Sequence, residues 1–272
     1  MLSFAPSIAA LSLLQAALVL APRPAPTALL RRFQSNSWAL LPPLSIVVVV
    51  AAIALDSAAA EFLTYLALIA VPPLAALALA LVVRGGRPAL ALLAVPLFAI
   101  AWAGRGSLGG ETAALALSAL ACVSLGWLLV CLVPGRWLRL GIYAMAAIDV
   151  YLIGSNLLQE PNAVLNAATP GDLPRLQLVS FGSAVMGFGD IFLAATLGAL
   201  LAPDRRLQLT GAALAAAIGL SFDLLFLTLD QLPATVPIAL TLAILELNSR
   251  GSSSSPSDSR AKPPPAAEPV PK

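Results

Sequence analysis

Long apolar stretches dominate the chain, and short polar breaks separate them. Nine such stretches occupy residues 7–22, 38–55, 61–83, 88–104, 112–134, 138–158, 176–202, 208–229 and 232–248. Most approach the roughly 20 residues that an α-helix needs to cross about 30 Å of hydrocarbon. The stretches are continuous and lack the two-residue alternation of a membrane β-barrel. The pattern therefore predicts an all-α polytopic membrane protein with nine transmembrane helices.

Composition agrees with a protein embedded in the lipid bilayer. Of the 272 residues, 60% are hydrophobic and 10% are charged, whereas soluble domains carry about 25% charged residues. The chain has no histidine, which excludes His-based zinc sites and Ser-His-Asp triads. Its two cysteines, Cys122 and Cys131, lie in one apolar stretch and are expected to be core residues. We expect no metal and no cofactor, and the dispersed arginines predict no nucleic-acid partner.

Arginines distinguish alternate loops and predict an orientation. They follow the first, third, fifth, seventh and ninth stretches, with Lys262 in the last group: Arg23, Arg31, Arg32, Arg84, Arg87, Arg136, Arg139, Arg205, Arg206, Arg250 and Arg260. The other loops carry mainly acidic residues. Because cytoplasmic loops are enriched in Lys and Arg, we expect an external N-terminus and a cytoplasmic C-terminus. The first stretch is interpreted as a retained helix since no positive charge precedes it; a cleaved signal peptide is the alternative.

Two aspartates interrupt consecutive apolar stretches, Asp149 in the sixth and Asp190 in the seventh. A carboxylate at the bilayer centre costs about 3 kcal/mol or more, so such residues are usually functional. Asp149 lies ten residues after Arg139, about 15 Å along a helix. Asp190 lies eleven residues before Leu201, or roughly 16 Å. The two carboxyl groups are therefore predicted at a similar depth on neighbouring antiparallel helices.

Small residues are predicted to share one helical face with Asp190, namely Ser183, Gly187, Ala194 and Gly198. Such a face lets another helix or a substrate backbone approach closely. Two carboxyl groups that share one proton can activate water and polarise a carbonyl group at the same time. The sequence therefore predicts an aspartyl hydrolase that works inside the membrane.

The segments around these aspartates resemble the presenilin and signal peptide peptidase family. Ile148-Asp149-Val150-Tyr151, Gly187-Phe188-Gly189-Asp190 and Gln231-Leu232-Pro233-Ala234-Thr235 are similar to its three motifs in order and spacing. The likeness covers roughly residues 141–247. Before residue 141, only the number of predicted spans is similar. The resemblance implies a presenilin-like fold with catalytic Asp149 and Asp190. It also implies substrate contacts from Gly187, Phe188, Gly189, Leu232, Pro233, Ala234 and Thr235.

Departures from the family pattern bear on how a substrate would fit and on which branch of the family the chain resembles. Ile148 stands where the family has tyrosine, and Thr235 where it has leucine. The short connection, 41 residues from Asp149 to Asp190, resembles signal peptide peptidases more than presenilins, and the expected external N-terminus agrees. The resemblance then implies type II transmembrane segments or signal-peptide remnants as substrates. It implies no obligatory partner subunit.

Three units are expected along the chain. Residues 1–137 would form an N-terminal five-helix membrane bundle, and residues 138–248 a catalytic four-helix portion that holds both aspartates. Residues 249–272 are rich in Ser, Pro and Ala and are expected to be a disordered cytoplasmic tail. A third acidic residue within a span, Asp223, is expected to support the pair, line a water path or cap a neighbouring polar group.

Two other classes of membrane protein remain as alternatives. A type IV prepilin peptidase also has a Gly-x-Gly-Asp motif, but that family has a lysine where this chain has Phe192. It often has paired Cys-x-x-Cys motifs, absent here, and nothing similar to residues 231–235. A proton-coupled transporter uses intramembrane acids to relay ions. Carriers usually show an internal repeat, whereas the intramembrane acids here fall late in the chain.

Overall fold

A computed structural model describes residues 3–25, 33–56, 58–157, 159–168, 171, 173–229 and 231–253. Most of these residues are helical. Five of the described helices are long and apolar enough to cross a membrane: Asn36–Leu55, Ala58–Val82, Leu108–Leu132, Gly135–Gly154 and Arg205–Leu227. Shorter apolar helices occupy Phe4–Leu20, Pro88–Ala103, Phe188–Leu201 and Val236–Ser249. The chain is therefore a mostly helical protein, and the length and composition of its helices are those of an integral membrane protein.

The first half of the chain forms five α-helices. They are α1 Phe4–Leu20, α2 Leu41–Leu55, α3 Ala58–Leu77, α4 Ala94–Ala103 and α5 Leu108–Leu132. Short 3₁₀ segments at Asn36–Leu40 and Pro88–Leu93 precede α2 and α4, and a π-helical segment at Ala78–Val82 ends α3. At the start of α5 the Ser107 hydroxyl accepts a hydrogen bond from Gly110 N over 3.2 Å, as a helix N-cap does.

The second half contains five more helices and one hairpin. The helices are α6 Gly135–Gly154, α7 Gln159–Ala167, α8 Phe188–Leu201, α9 Arg205–Asp223 and α10 Val236–Ser253. A 3₁₀ turn at Leu224–Leu227 follows α9. Strands β1 Leu178–Phe181 and β2 Ala184–Gly187 pair antiparallel, with Phe181 opposite Ala184. Gly182 sits in the connecting turn at φ +61°, a conformation that glycine adopts without strain.

Helix α8 lies at the centre of the described fold, with α1 and α5 packed against it. Its residues Ile191 and Leu197 are completely buried. Two glycines permit contact between helix backbones. A Cβ atom at Gly126 of α5 would lie 2.8 Å from the Thr196 amide nitrogen, and one at Gly198 would lie 2.6 Å from the Val19 carbonyl oxygen. Small residues at such crossings are typical of packing between membrane helices.

The prediction of one continuous helix over 176–202 is wrong in its first part. Residues 178–187 form the hairpin, and α8 begins only at Phe188. Ser183 and Gly187 therefore do not share a helical face with Asp190, whereas Ala194 and Gly198 do lie in α8. A short apolar run suits a buried strand as well as a helix, so periodicity alone does not separate the two. The positive φ at Gly182 marks where the chain turns back.

Helix α10 extends further toward the C-terminus than the sequence predicts. Helix α10 continues to Ser253, so residues 249–253 of the predicted tail are helical. The rest of that tail, residues 254–272, lies outside the described residues. Several charged residues that entered the orientation prediction lie outside them as well: Arg31, Arg32, Asp172, Asp230, Arg260 and Lys262.

Candidate functional site

The two aspartates singled out from the sequence lie near each other. Asp149 belongs to the second half of α6, and Asp190 is the third residue of α8. Both side chains are half-buried, and their carboxyl groups are close enough to interact electrostatically. Helices α6 and α8 thus bring together two acids that lie 41 positions apart in sequence.

Thr235 supplies a hydrogen-bond donor to Asp149. Its Oγ1 donates to Oδ2 of Asp149 over 2.7 Å, and the Thr235 residue is only 2% exposed. The residues from 231 to 235 are not helical, and α10 starts at Val236. The amide of Val236 donates to the carbonyl of Pro233 over 3.1 Å. This turn brings the N-terminus of α10 to Asp149, and helix N-termini favour nearby negative charge.

The second motif holds Asp190 through a backbone amide. Gly187 N donates to Oδ2 of Asp190 over 3.0 Å, across the junction between β2 and α8. A Cβ atom at Gly187 would lie 3.0 Å from the same oxygen. No atom of the described residues would lie within 4 Å of a Cβ at Gly189. The two glycines of the motif therefore differ, because only Gly187 has its space taken by the carboxyl group.

Gln15 is a site residue that inspection of the sequence missed. It lies in α1 and is 2% exposed. Its Nε2 donates to the carbonyl oxygen of Ala234 over 3.1 Å and to that of Asp190 over 3.4 Å. One side chain thus joins the start of α8 to the turn before α10. The available signal was the one carboxamide side chain in α1, since polar residues within membrane spans are usually functional.

Irregular backbone meets the aspartates from two sides. The hairpin leads into Asp190, and the turn formed by residues 231–235 meets Asp149. The hairpin turn is held by Glu111, whose Oε2 accepts from Gly182 N over 2.9 Å, and by Ser7, whose Oγ accepts from Ser183 N over 3.3 Å. Non-helical backbone at membrane depth is tolerated where protein buries it or a water-filled cavity borders it. Both segments therefore suit a hydrated site.

A groove opens between α6 and α10. Its volume is about 400 Å³. Val150, the residue after Asp149, and Val236, the residue after Thr235, both line it. The remaining lining residues are apolar apart from one phenol ring: Tyr143, Ala146, Ala147, Ala239, Leu240 and Ala243. An apolar segment can therefore lie against the helices that carry Asp149 and Thr235.

The other predicted motif residues flank this arrangement. Phe188 is half-buried and packs against the main core, and its carbonyl oxygen lies 3.8 Å from the Cys122 sulfur. Leu232, Pro233 and Ala234 are half-buried in the turn before α10. Of these three, Ala234 is bound directly, through the carbonyl that accepts from Gln15. The structure thus gathers the second and third motifs around the two carboxyl groups.

Asp223 occupies a separate place. Its Oδ1 accepts a hydrogen bond from Ser12 Oγ over 3.0 Å. Its Oδ2 is buried and has no partner among the described residues. Asp223 therefore belongs to the contact between α9 and α1, and no described hydrogen bond joins it to Asp149 or Asp190.

Comparison of the chain with models of protein families, with curated proteins and with solved structures finds no match. The chemistry of the site must therefore be inferred from its own residues. Oδ2 of Asp149 accepts from Thr235 Oγ1, and the Thr235 backbone also hydrogen-bonds this carboxyl group. Oδ2 of Asp190 accepts from Gly187 N, and neither Oδ1 atom accepts a hydrogen bond from a described side chain.

Proposed function

We propose that this chain is an intramembrane aspartyl protease in which Asp149 and Asp190 activate water to hydrolyse a peptide bond of a transmembrane segment. The observation that carries this proposal is the proximity of the two carboxyl groups. Each is held on one oxygen, by Thr235 or by Gly187. Burying two acids of like charge side by side is costly unless they share a proton. That sharing is also what acid–base hydrolysis requires.

The chemistry divides between an ionised and a protonated carboxyl group. Water adds to the carbonyl carbon of the substrate while the ionised carboxyl takes its proton, and the protonated carboxyl gives its proton to the carbonyl oxygen. The tetrahedral diol then loses its amine. The nitrogen receives the proton taken from water, and the other carboxyl recovers the hydroxyl proton as the C–N bond breaks. The pair returns to its starting state with one proton.

Hydrolysis needs a substrate whose backbone is not protected by helical hydrogen bonds. The hairpin supports this requirement because β1 and β2 form a two-stranded sheet with outer edges, and an extended peptide can add to the edge of a sheet. The groove between α6 and α10 gives an apolar segment a place against the helix that carries Asp149. We therefore expect a transmembrane helix that is locally unwound next to the two aspartates.

The membrane arrangement belongs to the same proposal. We infer nine spans with an external N-terminus and a cytoplasmic C-terminus. Contacts among arginine-bearing ends support this arrangement: Arg84 Nη2 donates to the carbonyl oxygen of Ala202, and Arg205 Nη1 to that of Leu20. Three loops that the arginine pattern assigns to the cytoplasm thus contact one another at the same end of the protein. Substrates with cytoplasmic N-termini, such as type II segments and signal-peptide remnants, fit this orientation and the resemblance to signal peptide peptidases.

The proposal is tested by cleavage in a purified system. The full chain in detergent is incubated with a fluorogenic type II membrane peptide, and product is measured by mass spectrometry. Asp149→Asn and Asp190→Asn are each expected to lower the rate at least about a thousandfold, since neither acid–base role survives in an amide. Asp223→Asn is the matched control, because it changes the third intramembrane acid of the described chain and is expected to retain cleavage.

Two results would contradict the proposal. The first is cleavage at the wild-type rate in both Asp149→Asn and Asp190→Asn. The second is a wild-type protein that cuts none of a panel of type II and signal-peptide segments while its melting curve shows a folded protein. A transition-state inhibitor of aspartyl proteases adds a further check, since it is expected to block the wild type.

A further inference from the structure

Two arginines from different loops converge on one buried glutamine. Arg84 follows the π-helical end of α3, and Arg205 is the first residue of α9. Nη2 of Arg84 and Nη1 of Arg205 each donate to Oε1 of Gln208 over 2.8 Å. Gln208 is completely buried. Two positive charges therefore share one neutral acceptor.

Backbone carbonyl groups fix both guanidinium groups further. Arg84 Nη2 donates to the carbonyl oxygen of Ala202 over 3.0 Å, and Arg205 Nη1 donates to that of Leu20 over 3.2 Å. The side-chain amide of Gln208 in turn donates to three carbonyl groups, those of Val19, Pro22 and Gly198. The ends of α1, α3 and α8 are thereby joined to α9. The two cations cannot move apart without breaking these bonds.

Each guanidinium group keeps donors that no described residue accepts. Arg205 retains Nε and Nη2, the planar edge with which arginine binds an oxyanion through two parallel bonds. Arg84 retains Nη1. Both side chains are exposed. The nearby Asp204 caps α9 instead, with its Oδ1 accepting from the amides of Arg206 and Leu207 over 2.9 and 3.2 Å.

The arrangement leaves positive charge without a counter-charge among the described residues. No described carboxylate forms an ion pair with Arg84 or Arg205. Partial burial and, after it, the charge of Arg205 lower the pKa of Arg84. An anion between two fixed like charges removes their repulsion and gains attraction to both. The cluster is thus preorganised for an anion.

Position decides which anion meets these donors. The apolar helix that ends at Val82 is followed by Arg84, and the apolar helix over Arg205–Leu227 begins with Arg205. Charged groups at the ends of membrane helices lie at the depth of lipid headgroups, and basic pockets between helices bind anionic headgroups on the cytoplasmic side. A phosphate oxygen also suits the free planar edge of Arg205.

We propose that Arg84 and Arg205, held together by Gln208, form a binding site for a phosphate group, supplied by the headgroup of an anionic phospholipid. Arg205 binds two phosphate oxygens through Nε and Nη2, and Arg84 binds a third oxygen through Nη1. The bound lipid would tie α3 to α9 at this end of the protein. The site lies apart from the aspartates and does not depend on the protease proposal.

The test measures lipid binding by native mass spectrometry of the full chain in detergent. Phosphatidylglycerol is titrated against phosphatidylcholine, which has a phosphate group but no net charge. The wild type is expected to prefer the anionic lipid by about tenfold, and loss of a charged hydrogen-bonding group in Arg84→Gln or Arg205→Gln is expected to remove most of that preference. Arg206→Gln is the matched control, because it removes the same charge one residue away and is expected to keep the preference within about twofold.

A second variant separates loss of lipid binding from a folding defect. Arg205→Lys keeps the positive charge but lacks the planar edge, so it is expected to lose most of the preference while it melts like the wild type in phosphatidylcholine. Inorganic phosphate is the soluble arm. If it stabilises the wild type without lipid and competes with phosphatidylglycerol, the phosphate site is supported with a soluble ligand. Equal losses in Arg205→Gln and Arg206→Gln, or no preference in the wild type, would overturn the site.

Discussion

Thr235 donates a hydrogen bond of 2.7 Å to Asp149 across 86 positions of sequence. The threonine precedes the first turn of α10, and the aspartate lies in α6. The bond gives Oδ2 of Asp149 a buried hydroxyl donor. The family proposed above has leucine at this position, which carries no hydroxyl group, so its motif alone does not imply the bond.

Removing the Thr235 hydroxyl is expected to slow cleavage without unfolding the protein. Thr235→Val keeps the shape of the side chain and leaves Oδ2 of Asp149 without its donor, which we expect to lower kcat about tenfold. Thr241→Val is the matched control. Thr241 is equally buried in α10, but its Oγ1 donates to the Pro237 carbonyl within the helix. Rates are compared per folded molecule, and an equal loss in the two variants would refute a specific role for Thr235.

The two glycines of the second motif are expected to respond differently to alanine. In Gly187→Ala the new Cβ would lie 3.0 Å from Oδ2 of Asp190, so the carboxyl group has to shift. A misplaced catalytic group costs up to about a hundredfold in rate. In Gly189→Ala the methyl group meets no atom within 4 Å among the described residues, and alanine stabilises a helix by up to about 1 kcal/mol relative to glycine.

Cleavage and melting temperature of both glycine variants separate these effects. We expect Gly187→Ala to lose most activity at little cost in stability, and Gly189→Ala to retain activity with an unchanged or higher melting temperature. Loss of activity in Gly189→Ala equal to that in Gly187→Ala would show that the motif needs backbone freedom rather than space for the carboxyl group.

Regular helix geometry underlies the prediction that the two aspartates lie at a similar depth. Counting from Arg139 and from Leu201 uses the constant rise of each helical residue. The hairpin was not predictable in this way, since an apolar run such as residues 178–187 suits a strand or a helix. The contact of Gln15 with Asp190 spans 175 positions. Such a contact depends on how α1 packs against α8, which no local pattern encodes.

The arginine cluster is a second feature that the sequence pattern does not predict. Loop by loop, the arginine pattern predicts which ends share one side of a membrane. It does not predict that Arg84 and Arg205 reach the same oxygen of Gln208. That convergence follows from the close crossing of α1 and α8 at Gly198, whose carbonyl also binds the Gln208 amide. Long-range packing, rather than composition, creates the site.

Gln15 is expected to matter for catalysis more than for stability. Gln15→Met keeps the length of the side chain and removes the donor shared by the carbonyl groups of Ala234 and Asp190. Both motif segments then lose their common support, and we expect kcat to fall about tenfold or more. Ser124→Ala is the control, because it also removes a buried bond between helices, from Ser124 Oγ to the Leu74 carbonyl. If Ser124→Ala lowers kcat as much as Gln15→Met, the effect reflects general loosening of the bundle.

An added methyl group at Gly198 is expected to disturb the packing of α1 against α8. A Cβ there would lie 2.6 Å from the carbonyl oxygen of Val19 and 2.7 Å from that of Leu18. Both atoms belong to the backbone of α1, so neither can rotate away as a flexible side chain does. Overpacking of this kind costs about 1–3 kcal/mol, and separation of α1 from α8 would also loosen the hydrogen bonds of Gln208 and Gln15.

Thermal melting in detergent is expected to show a clearly lower melting temperature for Gly198→Ala than for the wild type. No such drop is expected for Gly154→Ala, where the part of the chain that the structure describes places no atom within 4 Å of the added methyl group. Equal melting temperatures for Gly198→Ala and the wild type would mean that α1 and α8 do not cross this closely.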